Sequence, residues 1–232
     1  RFGIPHVYAE TEHDLYTAVG FLLAQDRLWQ MDLLRKVTLG RLSEIFGEDF
    51  VDTDLLLRAL RYTEKSKHLL ETGEPEITDA LKAFSDGINQ YLSAQSGKLP
   101  PEFAILGYTP EPWEPFHSLN LIGYMAWDLK AGWKELILER INSITDSAHM
   151  IELLPDIFVF KSSVYPEFDV DVASSALSDL MRINGRLNNL GVEVFSGSNN
   201  WAVSGRKSVT GKPLLANDMH LSWSMPPIWY EC

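Results

Sequence analysis

From Glu12 onward apolar residues recur at spacings of three and four: Leu15, Ala18, Val19, Leu22, Leu23, Leu28 and Met31. That is the period of one helical face, and it predicts a helix ending near "LGRLSEIFG", where Gly40 and Gly47 punctuate the chain. A second face, Ile77, Leu81, Phe84, Ile88 and Leu92, predicts a helix over 76–93. Residues 118–142 read as a long third helix, and helical character continues through "SAHMIELLP". Ahead of all of these, "GIPHVYAE" alternates enough to predict a short strand. Between the second and third helices lies "KLPPEFAILGYTPEPWEP", with five prolines. Phe103, Ile105, Leu106, Tyr108 and Trp113 are too apolar for a solvated linker, so an ordered loop is expected there. Residues 161–190 are less apolar and read as a connector carrying one amphipathic helix. After Gly191 the period changes to two: "NNWAVSG" and "KPLLAND" flank "RKSVTG" with Gly205 and Gly211, the pattern of a β-hairpin.

Charge narrows the partners. The 232 residues carry a net charge of −12, which argues against nucleic acid, because phosphate binding needs a basic face. No stretch approaches the roughly 20 apolar residues that span a bilayer, so no membrane span is expected. The N-terminal "RFGIPHVYAE" has the features of neither a signal nor a transit peptide. The one cysteine, Cys232, makes no internal disulfide framework. The last residues, "PPIWYEC", have strand character without turn residues after them, and lead us to expect that the chain continues in a longer parent.

The chemistry centres on "FSGSNNW", residues 195–201. A serine hydroxyl is a poor nucleophile until a base takes its proton. The G-x-S-x-G solution fails, because Ser196 and Asn200 occupy the glycine positions. The other solution uses the serine's own α-amine, which requires Ser198 to become an N-terminus by cleavage of Gly197–Ser198. An α-amine titrates near 7.7–8.0, close to ideal for a general base at neutral pH. Glycine before the serine permits close approach of Oγ to the preceding carbonyl.

The stretches "GSNNWAVSG", "TGKPLLANDMHL" and "PPIWYE", with "GIPHVYAE", "GFLLAQDRLWQMDLLRK" and "GRLSEIFGED" upstream, resemble the penicillin acylase family of N-terminal nucleophile hydrolases. The resemblance covers nearly the whole chain in the family's order. It implies an α+β fold, the four-layer αββα sandwich, of which these residues supply an incomplete, mostly helical N-terminal portion. It divides the chain into an α-subunit-like helical region (1–160), a spacer (161–197) and the start of a β subunit (198–232). Ser198 matches the nucleophile and β-subunit N-terminus, and Gly197–Ser198 the self-cleavage bond. Asn199 and Trp201 match motif positions that fix the strand under the nucleophile. His220, 22 residues beyond Ser198, matches a histidine that helps orient the amine in cephalosporin and acyl-homoserine-lactone acylases; it also reads as an ordinary hairpin-end histidine. Asp128 and Leu129 stand where penicillin G acylases have an Arg-Phe pair over the substrate pocket, which tilts the reading away from penicillin G. Glu135 matches a ligand of a structural calcium, a hard cation suited to carboxylate, and reads equally as a helix-surface glutamate. No organic cofactor is implied.

The function implied is a self-processing amidohydrolase acting on N-acyl small molecules, of β-lactam or acyl-homoserine-lactone type, or on acylated peptides. Its partners would be that substrate and the remainder of its own β subunit. A periplasmic or extracellular site follows from the same resemblance. The family's oxyanion donors lie far downstream of the nucleophile, so the 232 residues alone are expected to be inactive. Two other readings stand beside this one: a non-catalytic helical binding module from a degenerate family member, and a structural fragment whose strand edge pairs with a second copy. Asp52 and Asp54 read as a solvated turn. His6, His68, His117 and His149 lack metal-ligand spacing. The seven tryptophans and the "GFLLAQDRLWQMDLL" stripe read as core, and Asp26 with Arg27 as a buried or half-buried polar pair supporting the first helix.

Overall fold

A computed structural model describes residues 3–95, 98–130, 170–192, 197–221 and 225–232, with isolated positions 141, 144, 145, 149 and 152. Its helices are α1 (Glu12–Leu39), α2 (Ser43–Phe46), α3 (Val51–Ala59), α4 (Tyr62–Thr72), α5 (Pro75–Ala94), α6 (Pro101–Leu106), α7 (Pro115–Lys130) and α8 (Val170–Asn189). Strands β1 (Gly197–Val203) and β2 (Leu214–His220) form a two-stranded antiparallel sheet. Contacts divide the chain into two compact units, Arg1–Trp127 with Ser222–Cys232, and Asp128–Leu221. This is a division by packing; the 1–160, 161–197 and 198–232 segments that the resemblance implies follow the expected cut before Ser198, a different criterion.

The first unit is organised by the pairing of α1 with α5. Thr11 caps α1, its hydroxyl accepting from the Asp14 amide at 3.1 Å, and Gly40 ends it in a left-handed conformation, φ 60°. The line that touches α5 is not made of the large apolar residues of the sequence pattern. Gly20, Ala24 and Leu28, four apart, are buried, while Leu15 is 38% exposed. Small residues let the backbones approach closely. A Cβ on Gly20 would lie 2.1 Å from the Phe84 carbonyl oxygen, and one on Gly87 would lie 1.9 Å from that of Thr17. On α5, Ile88 is fully buried and Ile77 is 59% exposed. Ala24, Leu28, Ile88, Tyr91, Phe103 and Trp113 form the core cluster, with Phe21 edge-on to Tyr91.

The proline-rich stretch joins this core through α6 and a polar clamp. Phe103 and Trp113 are buried as expected, but Ile105 is 80% exposed, because the short α6 turns it away from the cluster. Arg35, itself 1% exposed, pairs with the equally buried Asp32 and donates to the carbonyls of Glu111 and Pro112 at 2.9 and 3.1 Å. Tyr108 donates its hydroxyl to Asp32 at 2.6 Å, and Arg41 grips the Glu111 carboxylate with two bonds of 2.8 Å. That bidentate contact holds the Glu111 carboxyl down at about 2.

Several expectations change here. Asp54 is no solvated turn: at 4% exposure it accepts from the Leu42 amide (2.8 Å), the Ser43 amide (2.8 Å) and the Ser43 hydroxyl (2.6 Å), serving as a remote cap for α2. Asp52 is exposed. Asp54→Ala strands two backbone donors, one of them on fully buried Leu42, and is expected to cost about 2–4 kcal/mol. Asp54→Asn, which keeps an acceptor, should fall between; equal thermal midpoints for wild type and both variants would contradict this. Asp26 and Arg27 are not a mutual pair. Asp26 is exposed and accepts the Tyr230 hydroxyl at 2.7 Å, and the Arg27 guanidinium stands 5.8 Å over the Tyr230 ring. Partial burial and the Asp26 carboxylate push the Tyr230 phenol up to about 12. "GIPHVYAE" and "PPIWYEC" contain no strand among their described residues, since neither has a ladder partner there. Trp113 is core, but Trp201 and Trp229 are 55% and 59% exposed.

In the second unit, α8 matches the predicted amphipathic helix, with Ile183 and Leu187 buried. It ends at Gly191, φ 74°, where the Val192 amide returns to the Leu187 carbonyl at 3.0 Å. The third predicted helix, which up to Trp127 belongs to the first unit, begins three residues early, at Pro115, and is described to Lys130. Its remainder to Asn142, and most of "SAHMIELLP", lie outside the described residues. Buried His117 stabilises the helix start, its Nδ1 accepting from the Glu114 amide at 3.0 Å; burial drives the imidazole down to about 3, so it works as a neutral acceptor.

Candidate active site

The hairpin forms where the sequence pattern puts it. Its register depends on the connection between the strands. Gly205 must be glycine, because a Cβ there would lie 2.3 Å from the Gly211 carbonyl oxygen, and Gly211 has φ 69°. The Ser208 hydroxyl donates to the Lys212 carbonyl at 2.6 Å and ties the turn together. With the turn fixed, Gly197 faces His220, Ser198 faces Met219, Asn199 faces Asp218 and Trp201 faces Ala216.

That register sorts the side chains. Successive residues of a strand point to opposite faces, so Asn199, Asp218 and His220 share one face and Ser198 belongs to the other. The shared face carries a polar cluster. His220 Nε2 lies 2.9 Å from Asp218 Oδ2 and 3.4 Å from Asn199 Nδ2. Ser198 instead donates its hydroxyl to its own preceding carbonyl, Gly197 O, at 2.7 Å. His220 is therefore across the ladder from Gly197, on the face opposite to Oγ. On Gly197 a Cβ would meet nothing within 4 Å, so that position is open.

The hairpin is exposed on both faces: Leu215 is 81%, Trp201 55% and Met219 44% exposed. Trp201 thus supports no core within the described residues. Asp128 and Leu129 fall in the last turn of α7. Glu135 lies outside the described residues, and among those described no group of three or more His, Cys, Asp or Glu side chains is arranged to hold a metal ion. Nor is any described helix long and apolar enough to cross a membrane. Asp218 is the site residue that the sequence pattern alone does not single out. The signal available is its spacing: two residues before His220, it must share that strand face.

A chain with this helical array, followed by a hairpin that opens on Gly-Ser, fits a definite class. The penicillin amidase family profile matches residues 1–232, and the chain belongs to that family. It is 33% identical over 238 residues to the penicillin acylase 2 proenzyme of Pseudomonas sp. (strain SE83), covering 99% of this chain and 30% of that protein. To the acyl-homoserine lactone acylase QuiP of Pseudomonas syringae pv. tomato it is 30% identical over 235 residues, covering 99% of this chain and 28% of the relative. The chain therefore spans less than a third of the length of these relatives. Among solved structures, the thermostable penicillin G acylase from Alcaligenes faecalis aligns with a TM-score of 0.57 at 24% identity, over 72% of this chain and 92% of that one, a likeness of fold.

Proposed function

We propose that the chain is part of a self-processing acylase with the αββα N-terminal-nucleophile fold, in which Ser198 cuts the chain at Gly197 and then hydrolyses the amide of an N-acylated small molecule. The observation that carries this reading is the Ser198 hydroxyl held at 2.7 Å from the Gly197 carbonyl oxygen, within a strand opening on Gly-Ser-Asn-Asn-Trp. A rotation about the Ser198 Cα–Cβ bond carries Oγ from that oxygen toward the carbonyl carbon. Oγ adds to the carbon as its proton leaves, the C–N bond breaks with proton transfer to nitrogen, and the Gly197 acyl group is left as an ester on Oγ. Water opens the ester, giving a Gly197 carboxylate and a free Ser198 hydroxyl and amine.

The amine then serves as base for the second reaction. It takes the proton from Oγ as Oγ attacks the substrate amide, and returns a proton to the departing amine. A second water hydrolyses the acyl-enzyme. His220, across from Gly197, belongs beside the newly formed amine in this scheme. Asn199 and Trp201 brace the strand, Asp128 and Leu129 contribute to the acyl pocket, and Glu135 to a structural calcium that enters no chemical step. The oxyanion donors come from the rest of the parent, so the 232 residues alone are inactive by about 10²- to 10³-fold for each missing donor. A periplasmic or extracellular parent fits the same reading.

Substrate class follows from the relatives' names, penicillin acylase and acyl-homoserine lactone acylase. Release of a primary amine from an N-acyl-homoserine lactone and from penicillin G by the purified parent, followed with an amine-reactive dye, tests it. Turnover is expected with at least one of the two, the lactone being preferred. Hydrolysis of neither would contradict the proposed substrate class.

A further inference from the structure

The cluster around His220 has a proton arrangement that its chemistry fixes. An ionised carboxylate has no proton to give, so the 2.9 Å contact with Asp218 Oδ2 requires the proton to sit on Nε2 of His220. The Asn199 amide nitrogen, 3.4 Å from the same atom, aims a donor at Nε2 and by itself favours the opposite tautomer, but over a longer contact. The shorter, charge-assisted contact with Asp218 decides between the two, with the proton on Nε2 and the lone pair on Nδ1. An exposed pair of this kind, His220 49% and Asp218 72% exposed, adds little to stability. Its consequence lies in where the proton is.

We propose that Asp218 is a positioning residue for the acylase reaction: it holds His220 as the Nε2–H tautomer, so that Nδ1 accepts a hydrogen bond from the α-amine of Ser198 once Gly197 has been cut away. The proposal rests on the self-processing reading above and adds a residue to it. Register supplies the geometry. Gly197 faces His220 directly, and a Cβ on Gly197 would meet nothing within 4 Å, so the imidazole has open space on the side of the ladder where cleavage frees the nitrogen. An amine that donates one N–H to Nδ1 is restrained from free rotation. Its lone pair is then aimed across the strand toward Oγ, the proton it must take. With the opposite tautomer, Nδ1–H would confront the amine donor to donor and disfavour that orientation.

Asp218→Asn separates this role from simple packing. The asparagine is nearly isosteric, but its NH₂ can donate to Nε2 and so admits the Nδ1–H tautomer. The same exchange beside the histidine of a serine protease triad leaves the geometry intact and installs the wrong tautomer. Two measurements are needed. The first is ring ¹⁵N NMR of His220 in the 232-residue chain, at a pH where imidazole is neutral. The wild type should show protonated Nε2 and unprotonated Nδ1, and Asp218→Asn should gain Nδ1–H. The second is steady-state kinetics of the parent: Asp218→Asn is expected to lower kcat by roughly ten- to a hundredfold with KM little changed, and Asp218→Glu to recover much of it. A wild-type ring protonated on Nδ1, or an Asp218→Asn parent with unchanged kcat, overturns the proposal. Failure of the underlying reading would look different: a parent not cut before Ser198, seen by N-terminal sequencing irrespective of residue 218.

Discussion

Replacing Ser198 with alanine is expected to leave the parent as one uncut chain and to reduce its amide hydrolysis by at least about 10⁴-fold. The two losses share a cause. Without Oγ there is no atom to receive the Gly197 acyl group, so no α-amine is released; without that amine and Oγ there is neither base nor nucleophile for substrate. The substitution removes one hydroxyl from an exposed strand position, and the hydrogen bond it breaks is to the residue's own preceding carbonyl. Folding should therefore be spared, and a circular dichroism spectrum matching wild type is the accompanying control. Self-cleavage persisting in Ser198→Ala, with the new terminus unchanged, would remove Ser198 from the mechanism.

The second large effect lies far from the chemistry. Gly87→Ala is expected to destabilise the helical unit by about 2–4 kcal/mol. Alanine in a helix is ordinarily better than glycine by about 1 kcal/mol. Here its Cβ would sit 1.9 Å from the Thr17 carbonyl oxygen, a contact that backbone cannot yield without separating α1 from α5. Gly20→Ala, at 2.1 Å from the Phe84 carbonyl, should behave alike, and the two changes should not add, because both push the same helix pair apart. Thermal unfolding followed at the helical band checks this. A midpoint equal to or above wild type would mean that propensity outweighs the crossing.

These glycines also show what is legible in a sequence and what is not. Periodicity locates α1 and α5 within a residue or two, because the helical repeat is a local property of the chain. It misjudges which line of α1 is buried, since Gly20 and Ala24 carry almost no hydrophobic signal and their importance comes from a partner some 60 residues away. Asp54 escapes for a related reason. An aspartate in so polar a run looks like a turn, and only the return of Leu42 and Ser43 reveals two amides that need an acceptor. Trp201 and Trp229 read as core by composition and are exposed among the described residues.

The hairpin is better specified. Alternation and the paired glycines locate both strands, and strand alternation then puts Asp218 on the face of His220 once the register is known. Pairwise register is what a linear reading lacks: spacing alone sets Ser198 and His220 22 residues apart, whereas the ladder puts His220 opposite Gly197 and the two functional side chains on different faces. Glu135 falls outside the described residues, and its part in calcium binding stays with the family resemblance.

Denaturing mass spectrometry of the purified wild-type parent, combined with N-terminal sequencing of every chain found, decides whether Ser198 becomes an N-terminus. Two or more chains are expected, one of which begins Ser-Asn-Asn-Trp. A single intact chain, or a cut at any bond other than the one before Ser198, would contradict it.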